Sequence, residues 1–176
     1  MMNLESSYCE CLVKRKNTIG GYIIKGLIIA LLVIFGLLAF LFLFSGANAV
    51  SLLMAALVMV GFSLAGSIFP RFNVEWEYVF VDGQLDFDQV LGGLARKRKM
   101  RTDFEKLEII APSNSHRLDS YKNMQMKIYD FSSLTGCDNY SMICHDGNNL
   151  IKIYFEPNEE MLTTMKNKSF RKVFTD

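Results

Sequence analysis

The feature that most restricts the fold of this chain is a long apolar region without a charged side chain. Between Gly26 and Phe69 the sequence contains no Asp, Glu, Lys, Arg or His. The first part, Gly26–Phe44, is nineteen consecutive residues without a polar side chain. Because an α-helix rises about 1.5 Å per residue, this part spans about 28 Å, close to the roughly 30 Å hydrocarbon core of a bilayer. It is therefore predicted to cross a membrane.

A second apolar segment follows after a short connection. Ala49–Phe69 has three serines as its polar side chains, and Pro70 ends it because proline cannot continue a helical hydrogen-bond ladder. The connection Ser45–Asn48 is so short that the two helices must run antiparallel. We predict a cytoplasmic segment over residues 1–21 and a transmembrane hairpin over 22–70, with helices at about 24–44 and 49–69.

Two other interpretations of the apolar region are open. A secretory signal peptide could end at Ala47-Asn48-Ala49, which has the small-x-small pattern of a cleavage site. A buried hairpin of a soluble domain is the second alternative. The first apolar run is too long for a signal peptide and a second run follows at once, while helices of a small soluble domain need a polar face. Both observations favour two spanning helices.

Basic residues flank the predicted hairpin. They are Lys14, Arg15, Lys16 and Lys25 before the first helix and Arg71 after the second, whereas the connection is uncharged. Lys and Arg of short flanking segments concentrate on the cytoplasmic side of a membrane, so both termini are predicted to be cytoplasmic. Lys14, Arg15 and Lys16 are also candidates for contact with lipid headgroups. A role as topology signals alone is the alternative.

Charge also restricts function. No ionisable side chain lies at membrane depth, where transporters and ion pathways usually place such groups, so the hairpin is predicted to be an anchor. The net charge of the chain is +1, which argues against a nucleic-acid binder.

Residues 74–176 have the pattern of a cytoplasmic β domain. Trp76, Tyr78 and Phe80 alternate with smaller or polar residues, which predicts a half-buried strand, and Asp82-Gly83 supplies a tight turn after it. After Pro157, capping and an apolar stripe predict a helix at about 158–172. Further strands are predicted at Gln84–Val90, Ala95–Thr102, Leu107–Ala111, Met124–Tyr129, Tyr140–Cys144 and Leu150–Phe155.

The strand at Ala95–Thr102 carries the most conspicuous charge cluster of the chain. If Val90 pairs with Ala95 across the glycine turn, opposite charges meet on one face of the hairpin, which stabilises it modestly. This register predicts the pairs Asp88–Lys97, Asp86–Lys99 and Leu85–Met100. It leaves Arg96 and Arg98 without a partner, and these two are therefore candidates for contact with a partner molecule.

The polar segment Ser113–Tyr121 is predicted to be a surface loop. His116, Arg117 and Asp119 are its candidate partner-binding residues. A serine hydrolase is the alternative function for this loop, but the chain has neither a G-x-S-x-G turn nor a phosphate-binding glycine loop. We therefore predict a protein without catalytic residues.

The four cysteines suggest a possible zinc site that we weigh and reject. Cys9, Cys11, Cys137, Cys144 and His145 are the potential ligands. Zinc sites usually space paired cysteines by two to four residues, whereas one residue separates the first pair here. No metal and no cofactor is predicted.

The order of about seven strands and one C-terminal helix resembles that of pleckstrin-homology-like domains, and specifically of membrane-anchored bacterial ones. The whole chain resembles a family of small, uncharacterised membrane proteins of Gram-positive, Clostridia-type bacteria. The segments that carry this resemblance are Tyr8–Lys16, Glu77–Gly93, Ile110–Tyr121 and Phe155–Leu162. It implies an α+β protein with a two-helix transmembrane hairpin followed by a pleckstrin-homology-like β-sandwich or barrel and a C-terminal helix. It implies no activity and assigns no functional residue.

These observations together predict a membrane-anchored, non-catalytic binding or scaffold module. Its expected partners are the lipid bilayer and a protein of the membrane or the cytoplasm. A membrane-surface enzyme or enzyme subunit and a sensor of lipid headgroups are the alternatives.

Overall fold

The computed structural model divides the chain into two compact units. One unit holds two long helices together with the turn at 91–93, and the other holds the strands and the C-terminal helix. The residues that the structure describes are 8–16, 19–44, 49–93, 95–133 and 139–175. The predicted connection Ser45–Asn48 lies outside them.

The two long helices pack closely against each other. Helix α1 comprises Ile19–Phe44 and helix α2 comprises Ala49–Ile68, so α1 begins before the predicted residue 24. At Gly61 of α2 an added Cβ would lie 3.2 Å from the side chain of Leu32 of α1. Glycine therefore permits the close approach of the two helices at this point.

Both helices are apolar and most of their large side chains are exposed, among them Leu41 and Met59. Within the described residues, Ile19–Leu41 is one helical segment long and apolar enough to cross a membrane, and Leu52–Ile68 is a shorter apolar segment. Only 6% of the most apolar window of the first segment is buried. The helices thus lack the buried apolar stripe of a helix in a soluble core.

The first sheet combines one strand before the helices with three strands after them. Its order is β1-β2-β3-β4. The strands are β1 (Tyr8–Lys14), β2 (Val74–Val81), β3 (Gln84–Leu91) and β4 (Ala95–Asp103). Strands β1 and β2 pair antiparallel, from Tyr8 opposite Val81 to Lys14 opposite Glu75. The turn between β2 and β3 has positive φ at Asp82 (49°) and Gly83 (92°), as a tight hairpin turn requires.

Strand β1 corrects the predicted domain boundary at residue 74. The segment 1–21 was predicted as a cytoplasmic segment before the hairpin and the β domain was predicted to begin at residue 74, but β1 is a strand of its first sheet. Cys9 and Cys11 of β1 point into the core and are 3% and 9% exposed. The two-helix hairpin is therefore an insertion between two neighbouring strands of one sheet.

The second sheet follows the predicted pattern more closely. Its order is β5-β7-β8-β6, with β6 and β8 parallel. The strands are β5 (Leu107–Pro112), β6 (Lys127–Asp130), β7 (Tyr140–Asp146) and β8 (Asn149–Phe155). The predicted hairpin at Asp146-Gly147-Asn148 is confirmed by the antiparallel pairing of β7 and β8. Strand β6 begins later than predicted.

The C-terminal helix α3 comprises Glu159–Lys168 and is shorter than the predicted 158–172. Asn158 caps it, because its side chain accepts a hydrogen bond from the backbone N–H of Met161 at 2.8 Å. Beyond the helix the chain runs along β5, where the N–H of Ile110 donates to Lys172 and the N–H of Phe174 donates to Ile110. The last residues thus extend the second sheet at its edge.

Aromatic side chains fill the core, as the alternation in β2 predicted. Trp76, Tyr78 and Phe80 are at most 4% exposed. Tyr78 meets Phe155 edge to face, with ring centroids 5.8 Å apart. Trp76 meets Phe131 at 4.9 Å. Two sheets, the two N-terminal helices and α3 make this an α+β protein, as predicted.

Candidate functional site

The outer face of the first sheet joins the basic strand β4 to carboxylates of β3. Arg98 contacts two of them, Asp86 at 3.2 Å and Asp88 at 3.7 Å. Arg101 donates two hydrogen bonds to Asp86, at 2.6 and 2.7 Å. Such two-pronged contacts use the planar donor fork of arginine, which lysine lacks.

These contacts correct the predicted register of β3 and β4. Thr102, instead of Met100, reaches Leu85, with its hydroxyl 3.2 Å from the backbone oxygen. In the turn between the two strands, Gly92 and Gly93 both have positive φ, and the N–H of Gly92 donates to the oxygen of Asn73.

The contacts of the basic side chains also differ from the predicted ones. Arg96 and Arg98, expected to be without partners, form ion pairs within the sheet. Lys97 and Lys99, expected to pair with Asp88 and Asp86, are exposed and contact no carboxylate in the described part of the chain. The basic strand therefore presents lysine side chains for external contact.

A pair of carboxyl groups connects β1 to β2 on the same face. Glu10 lies opposite Val79 and Glu77 lies opposite Leu12, so the two glutamates are diagonal neighbours across the strand pair. Glu77 is 3% exposed, and its Oε1 lies 2.6 Å from Nη2 of Arg96.

The electrostatics of this pair favour one shared proton. Burial and a hydrogen bond to Glu10 raise the pKa of Glu77 from 4.5 to about 7, although Arg96 acts in the opposite direction. Hydrogen bonds from Glu77 and from Tyr8 lower the pKa of Glu10. One proton shared by the two carboxyl groups prevents two negative charges from facing each other, as in other carboxyl pairs where both groups cannot ionise together.

The candidate headgroup residues follow directly along the chain from β1. Lys14, the last residue of β1, is 3.7 Å from Glu75, and its side chain is 80% exposed. Arg15 and Lys16 continue toward α1, and the N–H of Lys16 donates to the oxygen of Ser133. These basic side chains therefore lie where the chain leaves the sheet for the helix.

The predicted loop Ser113–Tyr121 contains a short 3₁₀ helix, His116–Tyr121. His116 Nδ1 lies 3.2 Å from Asp119, which also binds Lys122 at 2.6 Å. Of the two serines of this loop that the hydrolase alternative could use, Ser113 and Ser115, Ser113 contacts the hydroxyl of Ser141 at 2.9 Å. His116 and Asp119 are thus brought together on the surface of a helical turn.

Arg117 is directed to the C-terminal end of the chain. Its guanidinium group lies 4.1 Å from the ring centroid of Phe174. The neighbouring Leu118 is buried in a cluster with Ile109 and Ile143 of the second sheet. Arg117 therefore belongs to the surface of the second sheet, whereas Arg96 and Arg98 belong to the first.

The cysteines that the structure describes lie in different sheets. Cys9 and Cys11 are on β1 and Cys144 is on β7, each as a free buried thiol. Burial raises the pKa of all three thiols, to about 12 at Cys144. Across the described ranges no group of three or more His, Cys, Asp or Glu side chains could hold a metal ion. Cys137 lies outside these ranges.

A small polar cavity of about 120 Å³ lies where β4 ends. Arg101, Lys106 and His145 are among the residues that line it. Each has a carboxylate partner, and His145 Nε2 lies 2.8 Å from Glu108.

Sequence reasoning missed the Glu10–Glu77 pair. The alternation of Tyr8–Lys14 was an available signal for a strand, since buried cysteines alternate there with exposed residues. The partner strand begins sixty residues later, at Val74, so no local pattern indicated the pairing.

The chain was compared with known proteins. A family model described as a bacterial PH-like domain (DUF6106) matches residues 5–175, from before β1 to the C-terminal segment. Neither a curated protein nor a solved structure matches the chain. The family match bears out the pleckstrin-homology-like character predicted for the strand domain, and the family is of unknown function. The chain belongs to the bacterial PH-like domain family DUF6106.

Proposed function

We propose that this protein is a two-pass membrane protein whose PH-like domain is a non-catalytic binding or scaffold module on the cytoplasmic side. The observation that supports a two-pass anchor is the position of the helical hairpin between β1 and β2. Lys14 pairs with Glu75, so the chain leaves the sheet and returns to it at adjacent points. Both strands must then lie on one side of a membrane, which requires an even number of crossings.

The lengths and flanks of the helices support two crossings. Helix α2 has 20 residues and spans about 30 Å, the thickness of the hydrocarbon core. The basic residues before α1 and after α2 support a cytoplasmic position for both flanks by the positive-inside rule. A Clostridia-type origin, which the resemblance implies, is part of the same proposal.

The position of β1 also argues against a cleaved signal peptide. Cleavage beyond α1 would remove β1, every residue of which pairs with β2. The edge of β2 would then present unpaired backbone groups, which promote aggregation.

The surface proposed for a protein partner is the turn His116–Tyr121. His116 is fully exposed, and Arg117 and Asp119 lie beside it. An enzyme would need a pocket around His116 and Asp119, and the full exposure of His116 does not favour one.

Recovery of partners from native membranes tests this surface. The full-length protein, the variant His116→Ala/Asp119→Ala and the control Thr163→Ala on the exposed face of α3 are purified in parallel. We expect one or more proteins to copurify with the wild type and the control and to be lost with the turn variant. An identical set of proteins with all three would contradict the proposed surface.

A headgroup sensor is the second candidate, and Lys97 and Lys99 favour it. Strand β4 begins just after the turn in which Gly92 bonds to Asn73, the residue that precedes β2. At about 3.3 Å per residue, Lys97 and Lys99 lie about 7 and 13 Å along the strand from Ala95. They are thus near the sheet end where the chain connects to the helices, and anionic lipids attract such side chains.

A further inference from the structure

One oxygen of the buried Glu77 side chain has no ordinary hydrogen-bond donor. Arg96 binds Oε1, whereas Oε2 is buried and no donor reaches it in the described part of the chain. A buried acceptor without a donor destabilises a folded protein by about 1–3 kcal/mol, and more when it is charged. The neighbouring side chain on β1 is Glu10, which lies diagonally across the strand pair from Glu77. Two carboxyl groups can form a hydrogen bond with each other only if one of them is protonated.

We propose that Glu10 and Glu77 form a proton-binding site that holds β1 on the first sheet when occupied and weakens its pairing with β2 when empty. The ligand is a single proton shared by the two carboxyl groups. When it leaves, two negative charges face each other across the strand pair. Like charges on neighbouring strands destabilise their pairing.

The charged groups around the site come from all four strands of the sheet. They are Tyr8, Glu10 and Lys14 of β1, Glu75 and Glu77 of β2, Asp86 and Asp88 of β3, and Arg96, Arg98 and Arg101 of β4. Asp86 is neutralised by two arginines, and Arg98 is 3.7 Å from Asp88. Asp88 therefore adds to the repulsion at Glu77, and Arg96 opposes it from a side chain that is 58% exposed and screened by solvent.

The direction of the pH effect follows from the raised pKa of Glu77. A group with a raised pKa in the folded state contributes stability at low pH, and this contribution is lost as the pH rises toward the folded value. For a shift from 4.5 to about 7, linkage makes the opening of β1 about tenfold more frequent at pH 8 than at pH 6. The lowered pKa of Glu10 has its effect at more acidic pH and leaves this window unchanged.

The consequence concerns the base of the first long helix. Strand β1 ends at Lys14 and helix α1 begins at Ile19. Weaker pairing of β1 therefore loosens the segment that leads into α1, and it uncovers Cys9 and Cys11. This inference does not depend on whether the helices cross a membrane.

Hydrogen–deuterium exchange of the full-length protein in detergent micelles tests the proposal. Exchange is measured at pH 6, 7 and 8 and corrected for the intrinsic pH dependence of amide exchange. In the wild type we expect the opening of β1 to rise about tenfold over this range, while β7 and β8 keep their protection.

Substitutions test whether the proton shared by Glu10 and Glu77 causes the pH dependence of β1 protection. Glu77→Gln carries an amide that donates permanently to Glu10, so we expect β1 to stay protected at pH 8. Glu10→Gln removes the repulsion from the other side, should Glu77→Gln fail to fold. The control Glu105→Gln, an exposed glutamate outside the first sheet, should retain the wild-type dependence.

Three results would overturn the proposal. The first is a wild-type protein whose β1 is equally protected at pH 6 and pH 8. The second is an unchanged pH dependence in both Glu77→Gln and Glu10→Gln. The third is a parallel loss of protection in β1, β7 and β8, because it would show that the whole domain opens and not the first strand.

Discussion

At the scale of single residues, Lys97 and Lys99 differ from the arginines of β4 in their contacts. The arginines of the same strand are held by Glu77, Asp86 and Asp88. The two lysines alternate with these arginines and are exposed. They are therefore the cations of β4 that can approach an anionic surface without breaking an existing ion pair.

Replacement of both lysines tests the headgroup candidate. In lipid nanodiscs with phosphatidylglycerol, we expect amide exchange in β4 to be severalfold slower than in nanodiscs of phosphatidylcholine alone. Each lysine near an anionic surface contributes about 1 kcal/mol. The variant Lys97→Gln/Lys99→Gln should lose the difference, and so should the wild type at about 1 M salt, where the screening length is about 3 Å.

The matched control for this experiment is Lys166→Gln/Lys168→Gln, which removes two exposed charges from α3. It should behave as the wild type does. Equal exchange of β4 in the two lipid compositions would exclude the headgroup sensor.

At this scale, sequence reasoning succeeded for the core residues of β2 and failed for the ion pairs of β4. The alternation in β2 correctly predicted that Trp76, Tyr78 and Phe80 lie in the core, because side chains of a strand alternate between its faces. The partners of Arg98 could not be predicted in this way. They depend on the turn at 91–93, whose length sets the register, and a change of register changes every cross-strand pair.

Strand β1 carries the main argument at the scale of secondary-structure elements. Its inward residues Cys9 and Cys11 are buried, whereas Leu12 on the outer face is 53% exposed. Cys11 lies opposite Tyr78, a core residue without exposed surface. Neighbouring positions of β1 are thus in opposite environments, and they should respond differently to the same substitution.

We expect Cys11→Lys to destabilise the domain strongly and Leu12→Lys to change its stability by less than about 0.5 kcal/mol. An unpaired ammonium group buried beside Tyr78 costs several kcal/mol, while the same group at position 12 stays in water. Denaturant unfolding of the full-length protein in detergent, followed by the fluorescence of Trp76, measures both. Similar losses at the two positions would contradict the placement of β1.

Local sequence patterns were sufficient to predict most helices and strands, but they did not predict strand β1. Length and composition predicted the two long helices, and turn residues predicted the β7–β8 hairpin, because these features depend on neighbouring residues. The place of β1 in a sheet depends on a strand sixty residues away. The two halves of that pairing are separated by apolar helices that have a different periodicity.

At the scale of the whole molecule, the insertion of the hairpin between β1 and β2 determines the topology. A chain that leaves a sheet and returns to the next strand cannot end on the other side of a membrane. The family match from residue 5 to residue 175 includes β1, both helices and the remaining strands. The strand before the helices and the strands after them thus belong to one family unit.

The most direct test of the account is the membrane sidedness of three points of the full-length protein in intact cells. A membrane-impermeant thiol reagent is applied to variants that lack the four native cysteines and carry a single added cysteine at the N-terminus, at position 47 in the connection of the helices, or after Asp176. Labelling before and after permeabilisation is compared for each. We expect labelling of intact cells at position 47 alone, and labelling of both ends only after permeabilisation. Labelling of one end but not the other in intact cells would contradict the account.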